Sequence, residues 1–367
     1  MVTSAPWPPI EGVGYHISAL AEEVTKRGSE VTIATRGRGV ASRPSLTGTP
    51  EVVFLPFLPI YPFHIMAQAT LARCWVRTVR GHYDIVHYHS PLVPLLSLNV
   101  PSVVTFHTPM RYDVPTGSLT NLVGWLSLAQ LPFSLWSELR LFRHCRQVVA
   151  VSQAVARELA WYGKPAGLIE VIPNGVDIKV FRPGSKARRS YGLFVGRLEY
   201  RKGVKDLPDI VSRITQKSRG FRWDVVGQGR MGIWLADEIR HRGLERVVRI
   251  HGFVSRNLLA GLYRDASFLL LPSRYEGLPT VALEAMSSGT AVVGWDIPAL
   301  RGIVRNGENG IVVPLGNVDM LTSAVASLVE NPSEADRLGR NARTSVENAF
   351  SWSRLADRWL ELYRSLA

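Results

Sequence analysis

The sequence predicts an α/β fold made of two Rossmann-like domains. The chain has 367 residues, which exceeds the usual length of a single domain. Short β-branched or apolar runs alternate with helix-like segments almost throughout, as in βαβ units that build a mainly parallel sheet. The alternating series occurs twice, so we expect one domain over residues 1–173 and a second over residues 174–350.

The first series begins with an amphipathic helix over Ser18–Arg27 that Gly28 closes. Its strands are predicted from apolar runs bounded by polar or helical segments, as buried parallel strands usually are. These runs are residues 31–35, 84–88, 102–106, 147–151 and 169–172. The turn-forming cluster Pro173–Asp177 then marks the start of an interdomain linker.

The second series repeats the pattern up to the final helix. Its predicted strands are residues 191–196, 223–227, 248–251, 268–271, 291–294 and 310–313. The segment 351–367 follows, and it places Trp352, Leu355, Trp359 and Leu362 on one side of an amphipathic helix. We expect this helix to pack across a domain surface.

Composition and charge argue against a nucleic-acid-binding, a secreted or a membrane-spanning protein. A net charge of +13 predicts attraction to anionic partners, but the arginines are scattered, without the clustered cationic stripe and stacking aromatics of a nucleic-acid-binding protein. Neither a secretory signal nor an apolar run of membrane-spanning length is recognisable, so a cytoplasmic location is expected. Cys74 and Cys145 are isolated, which favours two buried thiols over a disulfide.

The densest chemical signal is the segment Ser273–Met286, which follows a buried strand. A turn at Gly277 leads through Leu278 and Pro279 into a helix beginning near Thr280, whose N-terminal N–H groups suit a diphosphate. Glu276 precedes this helix and Glu284 lies within it. Carboxylates accept hydrogen bonds from paired hydroxyls, so the two could hold the sugar and the ribose of one nucleotide sugar. Taken singly, each is more simply a solvated glutamate.

A second loop after a strand supplies cations. Gly196 permits close backbone approach, and Arg197 and Lys202 are placed to neutralise a leaving diphosphate, although two surface cations in a basic protein are the simpler alternative. Gly227 and Gly229 after the next strand add a weak signal of the same kind.

The sequence predicts no metal site and no cofactor. No Asp-x-Asp pair follows a strand, so nothing is placed to hold magnesium or manganese against phosphates. His87 and His89 alternate along a strand end, but no carboxylate is placed to join them. A Gly-x-Gly-x-x-Gly loop after a strand is also missing, which disfavours a dinucleotide-dependent dehydrogenase.

These residues together resemble retaining glycosyltransferases of family 4, which have the GT-B fold of two Rossmann-like domains facing each other across a donor cleft. The glutamates, the loop cations and the segment Val171–Asp177 match the family's motifs in the correct order. The resemblance implies that Glu276 contacts the donor sugar and Glu284 the ribose, that the loop ending in Val254 contacts the base, and that His107 lies near the transferred sugar. His107 taken alone is more simply structural. The resemblance also implies that the closing helix crosses back to the first domain.

One departure lies at the beginning of the chain. The family usually has a full strand followed by a glycine pair, whereas here Val2–Ser4 precedes Pro6 and the pair reads Glu11-Gly12. The first strand is therefore short or starts upstream. A carboxylate at Glu11 would repel a diphosphate unless it points away, which weakens the donor contacts expected of Gly12 and Gly14.

The resemblance implies a metal-independent hexosyltransferase that uses a UDP- or GDP-linked sugar and retains the anomeric configuration. A nucleotide-sugar epimerase or a sugar phosphorylase on the same fold is the alternative. The acceptor is expected to be a carbohydrate or a lipid-linked hydroxyl compound. The segment Leu119–Arg146, rich in leucine and tryptophan with a basic end, suits contact with an anionic membrane at its inner face, and suits equally a helix packed in its domain.

Overall fold

The computed structural model describes residues 1–9, 11–37, 49–58, 63–79, 81–96, 98–114, 122–184, 191–218 and 220–367. Residues 119–121 of the predicted leucine-rich segment lie outside this set. The described residues form two compact units. The N-terminal unit runs to Asn174 and includes Trp352–Ala367, and the C-terminal unit is Gly175–Ser351.

The N-terminal unit contains a seven-stranded sheet in which the strand order is β3-β2-β1-β4-β5-β6-β7. All its pairings are parallel. The strands are β1 (Val2–Thr3), β2 (Thr32–Arg36), β3 (Glu51–Leu55), β4 (Val86–Ser90), β5 (Ser102–Phe106), β6 (Gln147–Ala150) and β7 (Glu170–Val171). Every residue of β4 and β5 is buried, as expected of central strands covered on both faces. The strand order reverses between β1 and β4.

Helices follow β1, β3, β5 and β6 in the described part of this unit. They are α1 (Gly12–Lys26), α2 (His64–Leu71), α3 (Arg73–Thr78), α4 (Met110–Asp113), α5 (Leu122–His144) and α6 (Gln153–Leu159). Helix α6 begins where Ser152 Oγ accepts a hydrogen bond from the N–H of Val155 at 3.1 Å, an N-cap contact that satisfies one free donor of the first turn.

The C-terminal unit contains a six-stranded sheet in the order β10-β9-β8-β11-β12-β13, again with parallel pairings. Its strands are β8 (Tyr191–Val195), β9 (Arg222–Val226), β10 (Val248–Gly252), β11 (Phe268–Leu271), β12 (Ala291–Trp295) and β13 (Gly310–Val313). Its helices are α7 (Leu207–Lys217), α8 (Gly232–His241), α9 (Arg256–Asp265), α10 (Thr280–Ser287), α11 (Pro298–Arg301), α12 (Val318–Glu330) and α13 (Pro332–Ala349). The strand order reverses between β8 and β11.

The last helix, α14 (Trp352–Leu366), belongs to the N-terminal unit. Its apolar side packs against the sheet and against α1, where the buried partners include Leu20, Val24 and Val103. Arg27 at the end of α1 donates to Asp357 at 2.9 Å and to the Ser353 carbonyl at 2.9 Å. Two parallel-sheet Rossmann-like units with this closing helix confirm the predicted fold class.

Two local predictions were wrong. Helix α1 begins at Gly12, six residues before the predicted start, although glycine disfavours a helix, and Gly14 packs closely here. A Cβ on Gly14 would lie 3.0 Å from Pro9 Cβ. Cys74 is exposed, because it lies on the outer side of the short helix α3, whereas Cys145 is buried as predicted. Among the described residues, no helix is both long enough and apolar enough to cross a membrane.

Candidate functional site

The carboxyl ends of β8 and β11 carry most of the predicted site residues. These strands are neighbours at the reversal of strand order, which is where open α/β sheets usually bind ligands. The loop after β8 contains Gly196, Arg197 and Lys202, and the loop after β11 leads through Glu276 into α10. Residues that are distant in sequence therefore meet at one edge of one sheet.

Lys202 and Glu276 form a buried ion pair across this edge. Lys202 Nζ lies 2.6 Å from Glu276 Oε1 and 2.9 Å from Oε2, and the side chains are 16% and 7% exposed. Only glycine fits at position 203, because Gly203 has φ +74° and a Cβ there would lie 1.9 Å from the Pro272 carbonyl oxygen. The loop after β8 can therefore pack directly on the end of β11.

The pair shifts the pKa of both partners. Burial lowers the pKa of Lys202, and the carboxylate of Glu276 offsets this only in part. Burial alone would raise the pKa of Glu276, but the charges of Lys202 and Arg201 outweigh burial, so its pKa is lowered. Glu276 is therefore an anion held by cations. Because an ammonium group has three N–H donors, the two contacts with Glu276 leave one donor of Lys202 for another partner.

Two arginines that sequence reasoning missed support these loops. Arg201 is buried, and its positive charge helps to lower the pKa of Glu276. Its carbonyl accepts a hydrogen bond from the N–H of Arg274 at 2.8 Å, and the Arg274 guanidinium binds Asp206 at 2.7 and 3.0 Å. Both residues stand inside motifs quoted from the sequence, but the pairing of Arg274 with Asp206 has no signal in spacing.

Glu284 lies inside α10 and contacts a tyrosine from α9. Tyr263 Oη donates to Glu284 Oε2 at 3.0 Å. Burial raises the pKa of Glu284 to about 7, although the hydrogen bond from Tyr263 and the charge of Arg256 act in the opposite direction. Unlike Glu276, this carboxyl has no ion-pair partner as close as Lys202 and changes charge near neutral pH.

Glycines keep the neighbouring turns compact. Gly227 has φ +137°, and a Cβ there would lie 1.9 Å from the Gly196 carbonyl oxygen. A Cβ on Gly229 would lie 2.5 Å from the carbonyl oxygen of Leu198. The loops after β8 and β9 can therefore touch backbone to backbone, which a larger residue would prevent.

The remaining predicted residues of this unit differ in exposure. Arg197 is exposed, and its guanidinium lies 3.6 Å from Glu199, so it is free to reorient toward a ligand. Gly277, Leu278 and Pro279 are buried at the start of α10, and Thr280 is half-buried. Val254 follows β10 and is half-buried.

The other predicted residues, Gly12, Gly14 and His107, lie in the N-terminal unit. Gly12 is exposed and Gly14 is buried in the first turn of α1, and Glu11 precedes them, exposed and in extended conformation. His107 follows β5 and is buried, with its Nε2 3.3 Å from Nδ1 of His89.

The basic end of α5 lines a surface cavity of about 390 Å³ in the N-terminal unit. Its lining residues are Trp136, Leu139, Arg140, Arg143 and His144. The Arg140 guanidinium lies over the Trp136 ring, 5.5 Å from its centroid. This surface therefore combines positive charge with an exposed aromatic ring.

Two family profiles match consecutive parts of the chain. Residues 10–180 match the family described as Glycosyltransferase Family 4. Residues 177–345 match the family described as Glycosyl transferases group 1. The two matches together span most of both units.

Relatives and solved structures agree with these matches. A D-inositol 3-phosphate glycosyltransferase of Mycobacterium avium (strain 104) is 31% identical over 390 residues, which cover 96% of this chain and 88% of the relative. Sucrose-phosphate synthase from Thermosynechococcus elongatus superimposes with a TM-score of 0.82 at 21% identity, covering 100% of this chain and 95% of the other. Anabaena HepE in complex with UDP and glucose gives a TM-score of 0.75 at 18% identity, covering 99% and 98%. The shared architecture is the GT-B fold.

Proposed function

The chain belongs to glycosyltransferase family 4, and from that premise we propose that it transfers a hexose from a nucleotide diphosphate sugar to a hydroxyl acceptor, with retention and without a metal ion. The observation that carries the proposal is the Lys202–Glu276 pair at the reversal of strand order, next to the start of α10. It places a cation and a carboxylate beside the N-terminus of a helix. A diphosphate and a sugar require such partners.

Each donor part has a proposed partner. Lys202, Arg197 and the N–H groups at the start of α10 bind the diphosphate, Glu276 binds hydroxyls of the sugar, and Glu284 binds the ribose. UDP is the first nucleotide to test, because the HepE structure contains UDP and glucose. GDP stays in the panel.

The proposed reaction needs no nucleophilic side chain. The acceptor hydroxyl attacks the anomeric carbon on the face that the diphosphate leaves, and the leaving phosphate accepts the hydroxyl proton. The cations and the helix N-terminus stabilise the charge that develops on the leaving group, which is usually the largest catalytic contribution. His107 contacts the transferred sugar.

The donor is tested by thermal stabilisation with UDP-, GDP- and ADP-sugars in the presence of a chelator, because a ligand bound by the folded state alone raises the melting temperature. We expect sugars linked to one of the three nucleotides to raise the melting temperature, and we expect this increase to disappear in Glu284→Ala. If no sugar nucleotide raises the melting temperature of the protein, the proposal fails. Donor turnover without acceptor would indicate an epimerase, and dependence on phosphate a phosphorylase.

Retention is tested on the product. Proton NMR of the first product formed should give the anomeric configuration of the donor, and the opposite anomer would contradict the proposed reaction.

The acceptor is proposed to be a carbohydrate or a lipid-linked compound, reached at the inner face of an anionic membrane through the basic end of α5. The exposed residues Trp136, Arg140 and Arg143 supply an aromatic ring and positive charge there. In a flotation experiment at low salt, the protein should be found in the fraction of the anionic vesicles. The double variant Arg140→Glu, Arg143→Glu should be absent from that fraction. Unchanged flotation of this variant would overturn the membrane contact.

A further inference from the structure

Three buried histidines of the N-terminal unit form one cluster. His16 comes from α1, His89 from β4, and His107 follows β5. They are 3%, 1% and 4% exposed, and one ring nitrogen of each lies within 4.8 Å of the corresponding nitrogens of the other two. The sequence offered no carboxylate to join His89, but the fold brings imidazoles there instead.

Part of this cluster lacks hydrogen-bond partners. Among the described residues, neither ring nitrogen of His16 has a partner, and Nε2 of His89 has none. A buried polar group without a partner is unfavourable, so such atoms usually face a water molecule or an ion. A neutral imidazole presents the lone pair that a metal ion requires.

The distances are close to those of a metal site. His89 Nδ1 and His107 Nε2 are 3.3 Å apart. A tetrahedral zinc ion with bonds of about 2.0–2.1 Å separates its nitrogen ligands by roughly 3.3–3.4 Å. The His16 ring centroid is 4.9 Å from that of His107, and the three ligand nitrogens all lie within 4.8 Å of one another.

A fourth histidine packs against the cluster without joining it. His87 lies against His89, with 4.0 Å between ring centroids. Its own nitrogens are occupied, since Nδ1 is 2.7 Å from Tyr363 Oη and Nε2 is 2.7 Å from Thr105 Oγ1. His87 therefore packs against His89 without a hydrogen bond to it, and this close packing limits the space in which the His89 ring can rotate.

We infer that His16, His89 and His107 bind Zn²⁺ or a similar divalent ion that prefers imidazole, with a fourth coordination position left open. The site lies at the reversal of strand order between β1 and β4, on the ligand-binding edge of the sheet. One consequence rests on the proposed function. Because His107 is proposed to contact the sugar, zinc at this site inhibits transfer, and a chelator restores it.

Binding is measured without activity, on the full chain freed of metal by a chelator and then desalted. Competition with a chromophoric zinc indicator should give one tightly bound Zn²⁺ per chain, and Co²⁺ should give the visible spectrum of a tetrahedral site. His16→Ala and His89→Ala, each checked for folding by circular dichroism, should weaken binding at least 100-fold. His241→Ala, which removes an exposed histidine at the end of α8, should bind as the unaltered chain does.

The outcomes separate the two proposals. If the unaltered chain takes up no stoichiometric zinc, or if both folded variants bind zinc normally, the metal site is overturned, whatever the donor assay gives. If zinc binds at these histidines but transfer is unaffected, the site stands and the inhibitory role through His107 is overturned. If zinc binds and no nucleotide sugar does, the site stands and the proposed function fails.

Discussion

Lys202 contacts both carboxylate oxygens of Glu276, at 2.6 and 2.9 Å, although 74 residues separate them in the chain. The pair is buried at the edge where β8 and β11 end. Removing one partner would leave the other charge buried without compensation, which typically costs 3–5 kcal/mol. A substitution at either residue should therefore change stability as well as the donor binding that we propose for this pair.

Lys202→Met should lower the free energy of unfolding by about 3 kcal/mol, because Arg201 compensates Glu276 only in part. Urea denaturation measures this change. The double variant Lys202→Met, Glu276→Gln should be more stable than Lys202→Met alone, since it removes the uncompensated charge. Equal stabilities of the single and double variants would argue against a buried, charged Glu276.

Arg197→Ala should leave stability nearly unchanged, because its side chain is exposed and its contact with Glu199 is long, at 3.6 Å. Turnover should nevertheless fall about 100-fold, through loss of a charge that stabilises the leaving diphosphate. Initial rates at saturating donor measure this effect. The matched control is Arg222→Ala. Arg222 is an exposed arginine at the start of β9, at the edge of the sheet opposite to the candidate site, and its variant should retain full turnover. A similar loss in both variants would point to a general effect of net charge.

Glu284 should make both donor affinity and stability depend on pH. Burial raises its pKa from 4.5 to about 7, so the folded state holds a proton that the unfolded state releases between these values. The free energy of unfolding should therefore fall by about 3 kcal/mol from pH 4.5 to 7 through this group. Denaturation curves across this range measure the change, and Glu284→Gln should reduce the slope. Glu138 titrates in the same direction and supplies a second contribution.

Donor affinity should respond to the same carboxyl in the opposite sense. An ionised carboxylate accepts stronger hydrogen bonds from ribose hydroxyls than a neutral acid does. The dissociation constant of the donor should thus decrease as pH rises through about 7, by calorimetry, and Glu284→Gln should abolish this dependence. A Glu284→Gln variant that keeps the full pH dependence would place the titrating group elsewhere.

The sequence predicted the fold class well because its signals are local. Runs such as residues 191–196 and 268–271 are apolar, β-branched or aromatic, and bounded by turns, and they correspond to β8 and β11. Helix starts were less predictable where packing overrides propensity. Gly12 and Gly14 disfavour a helix by themselves, yet α1 begins there, and Gly14 fits closely against Pro9 of the preceding loop.

The candidate site was predictable as residue types in loops after strands, but its contacts were not. The hydroxyl of Tyr263 on Glu284 and the position of His16 beside His107 depend on how helices pack against the sheet. No spacing in the sequence encodes these distances. The roles assigned to Arg197, Glu276, Glu284 and His107 stay predictions until the donor experiments are made.

Glu138 should be important for the stability of the N-terminal unit. From α5 its carboxylate accepts hydrogen bonds from Ser90 Oγ at 2.9 Å, from the N–H of Met110 at 3.0 Å and from Tyr162 Oη. It thereby connects α5 to the end of β4, to the start of α4 and to Tyr162. Glu138→Ala leaves these donors buried without an acceptor and should cost about 3 kcal/mol or more in urea denaturation. Glu138→Gln keeps one acceptor oxygen and should cost less, and equal losses would mean that packing, not hydrogen bonding, matters here.

Trp359 should be the residue through which α14 contributes most to the N-terminal unit. Its ring is fully buried, 4.7 Å from the His87 ring and 5.8 Å from the Tyr363 ring. Trp359→Ala removes a large side chain from a closed core and should lower the free energy of unfolding by about 3–5 kcal/mol. Glu361→Ala, exposed on the same helix, should change it by less than about 0.5 kcal/mol. Because His87 in turn contacts His89, Trp359→Ala should also weaken zinc binding in the competition assay, whereas Glu361→Ala should not. A Trp359→Ala variant as stable as Glu361→Ala would mean that α14 does not dock on the N-terminal unit in solution.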